Sequence, residues 1–219
     1  MQGMHIRMLR RLKTRTYVGC VVLVMVLSVL AGCATGGKVK PALVERLEDG
    51  REGFMIMEVP QMDEASRRDF KRAVAILKDQ KYGQAIDLLE KVIEQSPGVT
   101  APYINMAIAY QHIGKLEQAE VHLKTALLLV PVHPVACNEY GLLYRKTGRF
   151  VEARAIYEKA LSRFPDYYPV HRNLGILCDL YLNDLACALE HYEIYSEASP
   201  EDKQVKLWIA DLRARLGRN

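Results

Sequence analysis

From Ser66 onward, apolar side chains recur every three or four positions in short runs separated by polar turns, the spacing of amphipathic helices. In the stretch 100–131, Tyr103, Met106, Ala107 and Tyr110 share one helical face; after a polar turn at Gly114, Ala119, Leu123 and Ala126 share another. The same double run closes on a proline four times, at Pro97, Pro131, Pro165 and Pro200, with separations of 34, 34 and 35 residues. Proline lacks the backbone N–H and clashes with the preceding turn, so each one ends a pair of helices. Self-similarity at this period is the signature of a stacked-repeat architecture. The pattern predicts an all-α chain of αα-hairpins in four units, 66–97, 100–131, 134–165 and 168–200. A final helix within 201–219 has Val205, Trp208, Ile209 and Leu212 on one face and Lys206, Asp211, Arg213 and Arg215 on the other, as suits a cap on the last hairpin.

The positions that repeat are specific. The second unit runs Tyr103, Met106, Ala107, Tyr110, Gly114, Ala119, Leu123, Ala126, Pro131; the third runs Cys137, Tyr140, Gly141, Tyr144, Gly148, Ala153, Tyr157, Ala160, Pro165. The fourth gives His171, Leu174, Gly175, Cys178, Ala188, Tyr192 and Pro200. This series resembles the tetratricopeptide repeat, and the resemblance covers residues 66–200. Ala107 and Ala119 are small where the two helices of one hairpin cross closely, and Gly114 is expected to end its helix in a left-handed conformation. The first unit departs from the series at Asp69 and Arg72, as a terminal repeat does when it caps a stack. The turn of the fourth unit is one residue longer and has no glycine, which makes Asn183 its expected left-handed residue. Tyr195 stands where a small residue is usual.

Ahead of the repeats the pattern changes. Arg7, Arg10, Arg11, Lys13 and Arg15 precede an apolar run that ends at Leu30, the arrangement of a secretory signal peptide. The run is shorter than the roughly 20 residues a transmembrane helix needs. Leu30-Ala31-Gly32-Cys33 resembles the bacterial lipobox, which implies cleavage after residue 32 and a lipid on the Cys33 thiol. By the same resemblance, Ala34 rather than Asp points to the outer membrane, facing the periplasm. Residues 33–65 read as a tether, in which Leu43–Glu48 is expected to form a short helix and the apolar run Gly53–Pro60 a strand-like segment packed on the first repeat. The leader also accounts for the basic net charge of +4: without its five cations the chain has 25 basic against 26 acidic side chains. Nucleic-acid binding thereby loses its electrostatic support.

Candidate chemistry is sparse. Cys137, Cys178 and Cys187 form no CxxC pair, so neither zinc nor thioredoxin-like chemistry is indicated. Cys178 and Cys187 lie on paired helices of the fourth unit, where an oxidising compartment permits a disulfide. The six histidines show no HExxH and no ligand-spaced cluster; no nucleophile elbow, phosphate loop or carboxylate pair appears. The chain is therefore expected to be non-catalytic, with no cofactor and no metal.

What remains is a surface. In stacked hairpins the first helices line the inner wall. Its expected groove residues are Ile104, Asn105, Ile108 and Gln111; Asn138, Leu142 and Arg145; and Arg172, Asn173, Ile176 and Asp179. The asparagines are suited to holding a peptide backbone, since one amide both donates and accepts. The resemblance implies a scaffold binding an envelope protein or peptide, similar to lipoproteins that assist assembly of pilus or secretion complexes. An adaptor for peptidoglycan enzymes or for a TonB/ExbB-type energised transport complex, a periplasmic ligand-binding protein, and a homodimer are the alternatives.

Overall fold

The computed structural model describes residues 43–46, 54–57 and 61–217, the first two segments as backbone only. Those segments are strands, β1 (Leu43–Arg46) and β2 (Phe54–Met57), paired antiparallel with Leu43 opposite Met57 and Arg46 opposite Phe54. The helix expected at 43–48 is thus corrected: its described residues, 43–46, form a strand. A four-residue run is too short to pay the nucleation cost of a helix, and ladder bonds to a β-prone partner are available instead. The signal peptide, Cys33 and the packing of the 53–60 segment on the first repeat lie outside the described residues.

Nine helices follow among the described residues: α1 (Glu64–Lys78), α2 (Tyr82–Gln95), α3 (Thr100–His112), α4 (Leu116–Leu129), α5 (Pro134–Lys146), α6 (Phe150–Arg163), α7 (Tyr168–Leu180), α8 (Leu185–Ala198) and α9 (Lys203–Arg215). They form four hairpins, α1/α2 to α7/α8, with α9 packed on α8. Each second helix also packs on the next first helix, and α1, α3, α5 and α7 contact one another in sequence. The chain reverses inside every hairpin through a residue with positive φ: Gln80 (60°), Gly114 (76°), Gly148 (75°) and Asn183 (52°). Asn183 takes the left-handed role expected of it. Asp63, Asp184 and Asp202 cap α1, α8 and α9 with side-chain acceptors.

Small residues sit where the helices approach. Ala73, Ala107, Ala119, Ala153 and Ala188 are fully buried. At Gly141 and Gly175 a Cβ would run into the rings of Tyr157 and Tyr192, so only glycine admits those tyrosines. Tyr195, half-buried, bonds Asp202 at the cap of α9 (3.3 Å), which turns its bulk into an inter-repeat contact. Trp208, half-buried, packs beside Tyr192 with ring centroids 5.2 Å apart, on the core-facing side that its spacing predicted. Polar links tie successive repeats: Glu120 accepts from Tyr140 (2.9 Å) and Arg149 (3.2 Å), and Arg154 reaches Asp184 (3.2 Å).

Candidate functional site

The first-helix wall is built by the period. Residues 34 apart occupy equivalent places on α1, α3, α5 and α7, so Val74, Ile108, Leu142 and Ile176 line up as one aliphatic row, each half-buried. One helical turn further on, Gln111, Arg145 and Asp179 make a polar row.

The asparagines are used differently from their expected role. Asn105 donates to the Ala101 carbonyl one turn back (2.9 Å). Asn173 donates to the Asn138 carbonyl oxygen across the α5–α7 seam (2.8 Å), and the buried Asn138 donates in turn to Glu139 (3.2 Å). The Asn138–Asn173 bond holds neighbouring repeats together, because polar residues that face each other across adjacent first helices meet before they meet a ligand. Ile104 is a core residue, 3% exposed. Arg172 lies over Trp208 (5.5 Å to the ring centroid) and near Asp202 (3.7 Å), and Asp179 pairs with Arg215 of α9 (3.1 Å).

Ile108, Leu142, Ile176 and Arg145 are left as the accessible part of the wall. Gln111 is 7% exposed; its Nε2 and the Nη1 of Arg145 are both buried without a hydrogen-bond partner among the described residues. The Tyr157 hydroxyl is in the same state. Burial pushes that phenol up, and it also raises the Glu139 carboxyl toward its neutral form.

Away from the wall, two features escaped the sequence. His171 Nδ1 and His191 Nδ1 are 3.0 Å apart, and His171 Nε2 lies 2.8 Å from the Pro165 carbonyl. If His171 donates to that carbonyl, its Nδ1 accepts from His191, which fixes both tautomers. Histidines 20 positions apart carry no local spacing signal. The second feature is the environment of Cys178 and Cys187, which the structure joins as a disulfide across α7/α8 with Cα atoms 6.0 Å apart. Asp184 has a carboxylate oxygen within 4.8 Å of both sulfurs, a grouping with metal-ligand composition. The sulfurs are bonded to each other, however, and Asp184 is engaged by the Cys187 N–H and by Arg154, so these donors are already occupied. Cys137 is a buried free thiol, pushed up to about 11 by desolvation and therefore unreactive.

Comparison with known proteins agrees with this architecture. Two models of the tetratricopeptide repeat match residues 76–136 and 134–167. Residues 76–167 thus match tetratricopeptide repeats. A curated relative, the probable UDP-N-acetylglucosamine–peptide N-acetylglucosaminyltransferase SPINDLY of Petunia hybrida, is 32% identical over 99 residues, 44% of this chain and 10% of that protein. This chain thus matches only about a tenth of that relative's length, within its own repeats. Among solved structures, pilF of Pseudomonas aeruginosa superposes with a TM-score of 0.65 at 24% identity, covering 70% of this chain and 69% of that one. A thermophilic tetratricopeptide protein of Thermus thermophilus gives 0.61 at 23% identity, covering 68% and 81%. These likenesses show the fold, an all-α tetratricopeptide superhelix.

Proposed function

We propose that the chain is a non-catalytic scaffold, lipid-anchored through Cys33 in the outer membrane, whose first-helix wall holds another protein of the cell envelope during assembly or stabilisation of a pilus, secretion or similar complex. Its carrying observation is the wall itself: a half-buried aliphatic row beside buried polar atoms that have no partner within the described residues. Such a surface offers apolar area and directional donors, the two ingredients of a specific interface. Solved neighbours of this fold are subunits of multiprotein complexes, Cut9 with Hcn1 and Naa15 with Naa10, which supports a holding role over a catalytic one. The anchor and its membrane rest on the lipobox resemblance at 30–33.

Two experiments test the reading. In-cell crosslinking with mass spectrometry compares the wild type with an Ile108→Glu, Leu142→Glu, Ile176→Glu variant; the captured partners should disappear, and unchanged capture would remove the wall from consideration. Changing Cys33 to Ser should move the protein from the membrane to the soluble fraction, whereas persistent membrane association would refute the lipid anchor.

A further inference from the structure

Because the chain reverses at every helix end, the four hairpin turns, near residues 80, 114, 148 and 183, stand along one edge of the stack. Turns between helices are ordinarily polar, and the first one is: Asp79, Gln80 and Lys81. The last two are not. Val151, just past the third turn, is 76% exposed, and Leu180 and Tyr181, entering the fourth, are 68% and 46% exposed. The two turns touch, since Phe150 meets Tyr181 with ring centroids 4.8 Å apart. Ile113, at the second turn, is exposed as well. One exposed aliphatic side chain needs no explanation, but apolar groups gathered on adjacent turns form a patch that marks an interaction site.

Three properties say what covers it. The patch sits on turn tips rather than in a cleft, so a broad, deformable surface reaches all of it at once. Its surroundings are cationic. Arg149 and Arg154 pair with Glu152 (3.1 Å) and Asp184 (3.2 Å), but Lys78, Lys115 and Lys146 along the same edge have no ion-pair partner among the described residues, against one such acid, Glu117. The patch also combines aliphatic tips with a tyrosine and long cationic stems, side chains that keep polar ends among headgroups while their apolar bodies reach the acyl boundary. A bilayer with anionic lipid satisfies all three.

We infer that the hairpin-turn edge of the last two repeats is a membrane-docking surface: Val151, Leu180 and Tyr181 enter the interfacial layer of an anionic bilayer, and Lys115 and Lys146 hold its headgroups. This goes beyond the lipid anchor proposed above, which ties the chain to a membrane without choosing the edge of the stack that faces it.

The test uses the full-length chain in phosphatidylcholine vesicles with and without phosphatidylglycerol. The chain has one tryptophan, so in a Trp208→Phe background a new tryptophan reports its own position. Val151→Trp and Leu180→Trp should emit further to the blue and lose emission to bromine-labelled lipid, more with phosphatidylglycerol and less at high salt. Leu128→Trp, at a position of α4 that is 79% exposed away from the turns, should do neither. Adding Leu180→Asp and Tyr181→Asp to Val151→Trp should remove its quenching, and Lys115→Glu with Lys146→Glu should remove the response to phosphatidylglycerol. Equal quenching of Leu128→Trp, or none of Val151→Trp and Leu180→Trp on vesicles that carry the protein, would overturn the docking edge and leave the anchor standing. Quenching indifferent to phosphatidylglycerol would overturn the role of the lysines. A chain that does not float with vesicles at all would overturn both the edge and the anchor.

Discussion

In the first two hairpins a small residue of the first helix lies with a leucine of the second: Ala73 with Leu89, and Ala107 with Leu123, all fully buried. In the last two hairpins the corresponding pairs are Gly141 with Tyr157 and Gly175 with Tyr192. The same crossing is filled in both halves, but the volume has moved from a methyl on one helix to a ring on the other. Glycine inside a helix costs about 1 kcal/mol relative to alanine, so it persists at these crossings only because the tyrosine ring takes the space. The exchange also changes chemistry: the C-terminal half gains phenol groups inside a core that is purely aliphatic at the same positions in the N-terminal half. The C-terminal half also holds the disulfide and the paired histidines.

The comparison is most sharply broken at Gly141. Gly141→Ala should lose on the order of 3 kcal/mol by overpacking against Tyr157, while the mirror change Ala107→Gly should lose only about 1 kcal/mol. Adding Tyr157→Leu to Gly141→Ala recreates the pair of the second hairpin and should recover most of the loss. Chemical denaturation of Gly141→Ala, Tyr157→Leu and the double variant checks this as a double-mutant cycle, and additive effects would show that the pairs are not equivalent.

Next in size is the disulfide. Breaking it by Cys178→Ser with Cys187→Ser should lower stability by about 2–3 kcal/mol, given the short loop it closes. Hydrogen exchange should show faster exchange across α7, α8 and α9 with little change in α1 to α4; uniform acceleration would mean that the halves unfold as one unit.

A smaller effect is expected from acid. Burial, with His171 second, lowers the His191 pKa, and burial alone lowers that of His122. Between the lowered folded values and the unfolded value of about 6.5, the unfolded chain binds more protons, so stability should be full above pH 6.5 and fall as pH drops below it. The groups acting on His191 besides His171 are Glu190, Arg154 and Glu158. His191→Gln should flatten the slope measured by pH-dependent melting, and an unchanged slope would assign the effect elsewhere. The smallest change is a gain: Gln80→Gly in the first hairpin removes a left-handed non-glycine residue and should raise stability by up to about 1 kcal/mol, visible as a higher melting temperature.

The helical repeats were legible because their causes are local. The proline spacing, the left-handed turn at Asn183 and the small residues at 107 and 119 follow from neighbours within one hairpin. The strand at 54–57 was legible in its β-prone run, but the one at 43–46 was not, since Leu-Val-Glu-Arg suits either a helical turn or a strand and only its antiparallel partner decides. At the wall, sequence placed the asparagines on the right face but could not show that Asn138 and Asn173 bond each other, because a contact between residues 35 apart depends on how the stack closes. The unspent donors of Gln111 and Arg145 were invisible for the converse reason: what marks them is that they find no partner among the described residues, a property of the packed fold. The Gly141–Tyr157 coupling was written in the repeat series, yet its meaning required seeing the ring where a Cβ would be.

One consequence concerns α9. It begins and ends 35 residues after α7, and Gly217 has φ of 65°, the turn conformation of every first helix before it. In engineering terms the last helix is a splice point, already in register for another hairpin arm. A copy of the segment that follows Asn183, grafted after Gly217, would enter a stack whose pitch is set. Two positions would need refitting, Lys206 and Arg213, which stand where α7 has His171 and Cys178. The length of this stack of hairpins can therefore be edited in whole repeats.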